Sequence, residues 1–261
     1  MLRAFSTAAT GMTGQQMMVD VIANNLANVN TTGFKRSQIN FQDLLYVSMR
    51  EPGTEVSSGI VSPGGVEIGS GVRVASTTKV FTPGELQNTG RTLDIAISGD
   101  GFLQIVMPNG DLRYTRDGSL QINANGQLVT TNGYTIEPAI SVPVDVVSVN
   151  IEKDGGVNVT DPSGTQSVLG PIQLVRFPNP SGLANEGDNL LSQTEASGTP
   201  TTGTPGENGF GTIQSGFLEK SNVQMVTELV NLITAQRAYE INSRAIRAGD
   251  DMLQMANSIV K

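Results

Sequence analysis

The stretch from Ser221 to Lys261 decides the fold, and its sequence is SNVQMVTELVNLITAQRAYEINSRAIRAGDDMLQMANSIVK. Its large apolar residues recur at intervals of seven, at Met225, Leu232, Tyr239, Ile246, Leu253 and Val260. A second row, of small residues, keeps the same interval at Ala235, Asn242, Gly249 and Ala256. A repeat of seven sustained over this length predicts one long α-helix with an apolar seam. We predict that Ser221 caps its start, because Ser221 and Gln224 form the capping box S-x-x-Q.

A second long helix is predicted at the other end of the chain, over residues 1–32. Its apolar residues keep the same interval at Phe5, Met12, Val19 and Leu26, and Ile22 lies on the adjoining row. Gly33 is expected to end this helix, because glycine adopts the left-handed conformation that closes a helix. Two such helices predict an antiparallel coiled coil, whose remaining apolar surface would be covered by further copies of the chain.

The predicted N-terminal helix has almost no charged residues. Asp20 is the only one between residues 4 and 34, and amides such as Asn24, Asn25 and Asn28 stand where Lys and Glu are usual. An exposed amide face is one interpretation. We prefer burial on all sides with amides bonded between chains, because uncharged amides are desolvated at a lower cost than charges.

The segment 34–72 is predicted to be an extended linker or arm. Residues 52–72 are rich in Gly, Ser and Pro, which favours irregular backbone. The interspersed aliphatic residues, such as Val56 and Ile60, favour a partly ordered arm or hairpin over a disordered linker. Gly53 is the candidate functional position of the arm, because a side chain there would restrict the backbone.

Residues 73–220 are predicted to form a β-rich domain. Turn dipeptides of the Asp-Gly or Asn-Gly type recur at positions 100–101, 109–110, 117–118, 125–126, 132–133 and 154–155. Closely spaced hairpin turns between short β-prone segments predict an antiparallel all-β domain. Within it, residues 178–216 are rich in Pro, Gly, Asn and Thr and are predicted to be a long loop. The chain is therefore predicted to be α+β, with 1–33 and 221–261 as its helical domain.

Composition excludes several classes of function. The net charge of −8 argues against nucleic acid or an anionic membrane surface as the main partner. The chain has no His and no Cys, so a Ser-His-Asp triad, a cysteine nucleophile and the usual zinc sites are excluded, and no cofactor is expected. No apolar run is long enough for membrane insertion. The N-terminus lacks the apolar run of a secretory signal, which predicts either a cytoplasmic protein or export by another route.

Two motifs resemble catalytic sites but carry little weight. Residues 76–79 match S-x-x-K of the penicillin-recognising enzymes, yet neither S-D-N nor K-T-G occurs, so a chance match within a strand is preferred. Asp250 and Asp251 could suggest glycoside hydrolysis, but Arg247 is placed to pair with Asp251 along the helix exterior. We therefore expect a protein that is not an enzyme.

The chain resembles a known family along nearly its whole length. The signature-like stretches are VIANNLANVNTTGFKR at 21–36, SNV at 221–223, the run 228–243, SGDGF at 98–102 and YTRDG at 114–118. They closely resemble the bacterial flagellar rod and hook proteins. Within that family, the length and the inserts at 41–53 and 69–73 are most similar to subunits of the distal rod, with a proximal rod or hook subunit as the alternative.

The resemblance implies a structural subunit that stacks helically into a tubular drive shaft. The paired helices would line an inner tube around the export channel, and the β domain would form the outer shell. The implied location is the flagellar basal body spanning the periplasm, reached through type III export without a cleaved signal. The implied partners are other copies, proximal rod proteins, the hook protein, the ring proteins that act as bushings, and the export apparatus.

The residues expected at the subunit interface are those of the two apolar rows together with the amides. They are Phe5, Met12, Val19, Ile22, Asn24, Asn25, Leu26, Asn28, Met225, Leu232, Tyr239, Ile246 and Leu253. Two other classes of function were weighed: a carbohydrate- or peptidoglycan-binding β module and an enzyme. The absence of Trp and the small number of aromatic residues argue against sugar binding.

Overall fold

The computed structural model describes residues 2–259 apart from 54, 58, 59, 62 and 144. Val260, the last member of the predicted seam, and parts of the predicted arm therefore lie outside the described residues. The chain divides into two compact units. Unit 1 consists of Met1–Leu26, Ser37–Thr78 and Met225–Lys261, and unit 2 consists of Ala27–Arg36 and Lys79–Gln224.

Unit 1 contains both long helices. The first, α1, spans Leu2–Ala27, and the second, α2, spans Met225–Ile259. A Cβ added to Gly249 would lie 2.9 Å from the ring of Phe5, and a Cβ added to Gly11 would lie 2.9 Å from the side-chain amide of Asn242. The pairing of Phe5 with Gly249 and of Gly11 with Asn242 shows that the two helices run antiparallel. The two terminal helices are confirmed, and their packing as a coiled coil stays a prediction.

One boundary of each helix differs from the prediction. The α1 helix ends at Ala27 rather than at residue 32. Just beyond this end, the Thr31 N–H donates to the Asn28 carbonyl and the Thr31 hydroxyl donates to the Asn28 side chain. The α2 helix begins at Met225, and Ser221 does not cap it. Instead the Ser221 hydroxyl accepts a bond from the Val223 N–H.

The remainder of unit 1 is a long two-stranded hairpin. Its described residues form six strands, which are β1 (Ser37–Asp43), β2 (Tyr46–Arg50), β3 (Glu55–Ser57), β4 (Ile60–Val61), β5 (Val66–Gly69) and β6 (Val72–Lys79). They pair in nested order, β1 with β6, β2 with β5 and β3 with β4. The hairpin alternative for this segment is therefore what the structure shows, while its role as an arm stays a prediction.

The described residues of unit 2 form sixteen strands. They are β7 (Leu86–Asn88), β8 (Ile95–Ser98), β9 (Phe102–Val106), β10 (Leu112–Thr115), β11 (Leu120–Ile122), β12 (Leu128–Thr130), β13 (Thr135–Glu137), β14 (Ser148–Ile151), β15 (Gly156–Thr160), β16 (Gln166–Pro171), β17 (Leu174–Arg176), β18 (Ala184–Gly187), β19 (Leu190–Ser192), β20 (Thr201–Gly203), β21 (Thr212–Ser215) and β22 (Phe217–Glu219).

The described strands of unit 2 pair antiparallel, which confirms the predicted α+β class. The largest sheet has the order β11-β12-β13-β9-β10-β19-β18, and β17 joins it by pairing with β9 and β20. A three-stranded sheet, β14-β15-β16, and the pairs β21–β8 and β22–β7 complete the unit. Predicted turns such as Asn109-Gly110 are formed, with a φ of +86° at Gly110 that favours glycine. Inward aliphatic residues, such as Leu103 and Ile105, build the core.

The predicted long loop at 178–216 is wrong. This segment contains a short 3-10 helix at Pro180–Gly182 and four strands, β18 to β21, each paired within unit 2. These strands were not recognised from the sequence, because each is only three or four residues long and lies among many turn-forming residues. Strands this short are held by partners distant in sequence, as where Ile213 lies opposite Ile97.

Candidate subunit interface and buried junction

One face of the α2 helix leaves large apolar side chains uncovered within the described chain, with Arg237, Arg244 and Asp251 among them on the same side. We call this face the outer stripe of α2, and its members are Val226, Val230, Ile233, Ile241, Met252 and Met255. Their spacing places them on one side of a helix with 3.6 residues per turn. Each is between 50% and 76% exposed. Six large apolar side chains exposed along one face are typical of a surface that binds another protein.

The opposite face of α2 packs within unit 1 and is centred on the row of small residues. Ala235 is only 1% exposed, and Asn242 and Gly249 meet α1. Small side chains allow two helices to approach closely, so this row rather than the large-residue row faces α1. In the predicted seam, Leu232 and Ile246 are half-buried. Met225, Tyr239 and Leu253 are exposed.

Most of the predicted interface residues of α1 are partly covered within the chain. Phe5, Met12, Val19 and Leu26 are half-buried, Ile22 is buried, and Asn24 is exposed. Their accessible parts therefore stay candidates for contacts between copies.

Asn25 was expected to bond between chains, and the structure uses its amide within the chain. Its Nδ2 donates to the Ser37 carbonyl at 2.9 Å, and its Oδ1 accepts from the Ser37 N–H at 2.8 Å. The side chain thus pairs with the first residue of β1 as a neighbouring strand would. Asn28 likewise accepts a hydrogen bond from the Thr31 hydroxyl at 3.0 Å. Because its amide is used within the subunit, Asn25 is not a candidate for hydrogen bonds between copies.

The hairpin of unit 1 also exposes apolar side chains. Leu45, Tyr46, Met49, Val66 and Ile68 are exposed, and Leu45 reaches 88%. A two-stranded hairpin has no third layer to cover them. Gly53 has a φ of +85°, and a Cβ there would meet nothing within 4 Å. Its constraint is therefore backbone conformation alone.

Neither catalytic-looking motif forms a site in the described chain. Ser76 lies in β6, and its hydroxyl accepts a bond from Asn40 at 3.2 Å. The predicted ion pair between Arg247 and Asp251 is not formed, since Arg247 donates to Ser243 instead. Among the described residues, no group of three or more His, Cys, Asp or Glu could hold a metal ion. No described helix is long and apolar enough to cross a membrane.

Three charged side chains form a buried junction in unit 2, and they come from distant parts of the sequence. Lys35, Arg116 and Glu219 are each no more than 5% exposed. The two oxygens of Glu219 are divided between the cations, with Oε1 accepting from Lys35 Nζ and Oε2 accepting from Arg116 Nε at 2.9 Å. Buried charges are tolerated when they are paired and hydrogen-bonded in this way.

Backbone groups satisfy the remaining donors and acceptors of this buried junction. Lys35 Nζ donates to the Thr82 carbonyl at 2.7 Å, and the Gly84 N–H donates to Glu219 Oε1 at 2.9 Å. The Arg116 guanidinium donates to the carbonyls of Gly99 and Gly101 at 2.8 and 2.9 Å. The junction therefore fixes several loops of unit 2 around one carboxylate.

The segments that lead to the two helices are fixed side by side at the same place. The Gly33 N–H donates to the Glu219 carbonyl at 2.8 Å, and the Arg36 N–H donates to Asn222 Oδ1 at 2.8 Å. Asn222 Nδ2 donates to the Val80 carbonyl at 2.8 Å. Residues 31–36 and 217–223 are thus held together inside unit 2.

The sequence contains only a weak signal for this junction. Lys35 and Arg116 lie within the stretches TTGFKR and YTRDG that carry the family resemblance, but Glu219 lies in none of the quoted stretches. More than a hundred residues separate Arg116 from Glu219 in sequence. The antiparallel pairing of β22 with β7, and the bond from the Gly33 N–H to the Glu219 carbonyl, are contacts between segments remote in sequence that position this carboxylate.

The charges of the junction lower the pKa of Glu219. Burial alone would raise the pKa of this carboxyl group, but the charges of Arg116 and Lys35 and the Gly84 N–H outweigh burial and hold the pKa below its ordinary value of 4.5. The pKa of Lys35 is also lowered, chiefly by burial. A carboxyl group whose folded pKa is depressed stabilises the fold above its unfolded pKa, and the stabilisation is lost as pH falls through the folded value.

This linkage gives a pH prediction for unit 2. We expect the free energy of unfolding to fall as the pH drops below about 4.5, and we expect Glu219→Gln to show a shallower acid slope because it cannot take up that proton. The slope is measured by urea unfolding at several acid pH values, with far-UV circular dichroism as the signal for unfolding. An equal slope in both proteins would contradict the prediction.

Comparison with known proteins now identifies the chain. Family models match at three places: residues 5–35 match the flagella basal body rod protein, residues 96–159 the D1 domain of the flagellar hook protein FlgE/F/G, and residues 214–259 the C-terminal region of the flagellar basal body rod FlgEFG protein. The chain is 48% identical over 255 residues to the flagellar basal-body rod protein FlgG of Buchnera aphidicola subsp. Baizongia pistaciae, covering 97% of this chain and 98% of that protein. The chain belongs to the flagellar basal-body rod protein family.

Distant bacteria contain similar rod proteins of the same length. Identity is 46% to FlgG of Borreliella burgdorferi, over 99% of both chains, and 38% to FlgG of Bacillus subtilis, over 97% of both. This rod family member is therefore a structural subunit of the flagellar basal-body rod. The first family match covers α1 from Phe5 onward and the last covers all of α2, so the helices are part of what defines the family.

Proposed function

We propose that this rod protein polymerises helically into the distal rod, the drive shaft that transmits torque and encloses the export channel. The observation that carries the proposal is the outer stripe of α2. It leaves six large apolar side chains exposed in a chain that belongs to a family of structural rod proteins. Burial of these side chains against another copy would stabilise a polymer by about 25 cal/mol per Å² of apolar surface removed from water.

The proposed interface combines the outer stripe with accessible residues of the predicted rows. Met225, Tyr239 and Leu253 are exposed on α2, and Asn24 is exposed on α1. The half-buried residues Phe5, Met12, Val19 and Leu26 of α1, and Leu232 and Ile246 of α2, would contribute their uncovered edges. Ile22 and Asn25 would act within the subunit, because both are buried there.

The wider assembly follows from family membership. We infer that the chain meets proximal rod proteins, the hook protein and the ring proteins in the basal body across the periplasm. Export by the flagellar type III apparatus, without a cleaved signal, would bring it there. Its role would be mechanical rather than enzymatic. The alternative within the family is a proximal rod or hook subunit.

Assembly onto isolated basal bodies tests the proposal. Basal bodies from a strain that lacks its own distal rod subunit would be mixed with the purified full-length chain. We expect hollow rods to extend from them in electron micrographs, with the protein recovered in the pellet. A chain that stays in the supernatant and extends no rod would contradict the proposal. Peptidoglycan hydrolysis by the purified chain would instead support the enzyme alternative.

The hairpin segment 52–68 is predicted to control the straightness and stiffness of the rod. The hairpin exposes Met49 just before this segment and Val66 and Ile68 within it, and these side chains would become ordered and buried by packing between subunits. Deletion of 52–68 is expected to give rods with altered curvature or bending stiffness, measured from electron micrographs. Rods indistinguishable from wild type would refute this role.

The isolated monomer is predicted to have weakly protected ends. The outer stripe of α2 lacks its neighbours in dilute solution, and long helices without tertiary packing are marginal. Hydrogen exchange should therefore show weak protection in 1–32 and 222–261 and strong protection within 73–177. Uniform protection in a proven monomer would be the opposite result.

A further inference from the structure

The methionines of this chain are concentrated in unit 1. The sequence has nine, and eight of them fall within the ranges of that unit: Met1, Met12, Met17, Met18, Met49, Met225, Met252 and Met255. Met107 is the only one in unit 2, although unit 2 is the larger unit. Methionine is common at surfaces that pack adaptably, because its side chain is unbranched and polarisable.

Five of these methionines expose their side chains in the subunit. They are Met17, Met49, Met225, Met252 and Met255, each at least 44% exposed. Met252 and Met255 belong to the outer stripe of α2, and the other four members of the stripe are aliphatic. The thioethers are therefore open to solvent before assembly, at the surface that the proposed function covers afterwards.

Because of the amino-acid composition, mild oxidants react mainly with the thioethers of these methionines. The chain has no Cys, no His and no Trp, so methionine sulfur is the most readily oxidised group available to a peroxide. In the reaction, the sulfur gains one oxygen atom and loses two electrons, the O–O bond of hydrogen peroxide breaks, and water leaves. The product is a sulfoxide, whose oxygen is a hydrogen-bond acceptor on a formerly apolar side chain.

We propose that Met252 and Met255 form an oxidation-sensitive site that controls assembly of this rod protein, with a hydroperoxide as the oxidant. Oxidation to sulfoxide places two polar oxygens in the outer stripe, where their burial against a second copy leaves them without donors. Reduction of the sulfoxides by a methionine sulfoxide reductase restores the apolar stripe. This inference rests on the proposed function.

The two methionines can be tested directly with full-length protein. Purified monomer is treated with hydrogen peroxide, the sulfoxides are located by mass spectrometry, the peroxide is removed, and assembly onto basal bodies is measured. We expect the assembled fraction to fall on the order of tenfold, because one poorly paired polar group at an interface has an effect of that size. Treatment with the reductases MsrA and MsrB should restore assembly.

Matched variants separate this site from the other methionines. Met252→Leu with Met255→Leu keeps the apolar volume and removes both sulfurs, so this variant is expected to assemble untreated and to lose much less assembly than the wild type after peroxide, with Met49 and Met225 still open to oxidation. Met107→Leu removes the methionine of unit 2 and is expected to stay as sensitive as the wild type. Equal loss of assembly in the double variant after peroxide would overturn the proposal.

A second measurement needs no variant. Peroxide is added to rods already assembled, and the oxidation rate of each methionine is compared with its rate in monomer. Met252 and Met255 are expected to be protected in rods, while Met107 reacts at a similar rate in both. Unchanged rates at Met252 and Met255, or normal assembly after their complete oxidation, would overturn the proposal. Failure of the untreated protein to assemble would instead refute the proposed function.

Discussion

Ile241→Asp is expected to abolish assembly while leaving the subunit folded. Ile241 lies in the middle of the outer stripe and is 65% exposed, so a carboxylate at this position stays in water in the monomer. In a polymer the same carboxylate would be buried without a partner, at a cost of several kcal/mol for each subunit. The measurement is assembly onto basal bodies, with circular dichroism of the monomer as the check on folding.

Gln236→Asp provides the matched control on the same helix. Gln236 is exposed but lies off the outer stripe, so the substitution introduces the same carboxylate without removing an apolar contact. Gln236 neighbours Leu232 and Tyr239 of the predicted row, so this control is expected to weaken assembly much less than Ile241→Asp. Normal rods from Ile241→Asp would show that the outer stripe is not an interface. Equal failure of both variants would mean that added negative charge anywhere on α2 prevents assembly.

Ile246→Asp tests the other face of α2 and should behave differently. Ile246 is half-buried, on the side of the helix that also carries Ala235 and Gly249. A carboxylate there disturbs packing inside unit 1 as well as any contact between copies. We therefore expect weaker helical signal in the monomer in addition to failed assembly, which distinguishes the inner face from the outer stripe.

Glu219→Gln is expected to cause the largest loss of stability in unit 2. The substitution leaves Lys35 and Arg116 buried without a counter-charge, and removal of one partner from a buried ion pair costs about 3–5 kcal/mol. For a unit of this size each kcal/mol lowers the Tm by about 2–4 °C, so the Tm should fall by roughly 6–20 °C. Calorimetry of the full-length chain measures the change.

Two controls show whether the loss comes from burial of the charges. Glu186 pairs with Arg113 at the surface, so Glu186→Gln is expected to leave the Tm nearly unchanged, because solvent screens an exposed pair. Adding Lys35→Met to Glu219→Gln removes one of the two unpaired cations. The double variant should therefore be more stable than Glu219→Gln alone, as a double-mutant cycle measures. A Tm for Glu219→Gln equal to that of wild type would contradict the role of the junction.

Local patterns determined the parts of the fold whose contacts lie close in sequence. The repeat of seven predicted both terminal helices, and turn dipeptides such as Asn109-Gly110 predicted the antiparallel domain. These signals are readable because a helix or a tight turn is set by residues a few positions apart. The strands of 178–216 were missed for the converse reason, since their pairing partners are remote and their own residues are typical of turns.

The sequence by itself therefore determined the two terminal helices, the antiparallel class of the central domain, the exclusion of His- and Cys-dependent chemistry, and the family resemblance. Only the tertiary structure decided which face of α2 is covered and which charges are buried. The interval of seven identifies the apolar rows but not the surfaces against which they pack. Because Gly249 and Asn242 face α1, the outer stripe on the opposite side of α2 is left exposed. Glu219 joins Lys35 and Arg116 because strand pairing, rather than sequence spacing, places a carboxylate between two buried cations.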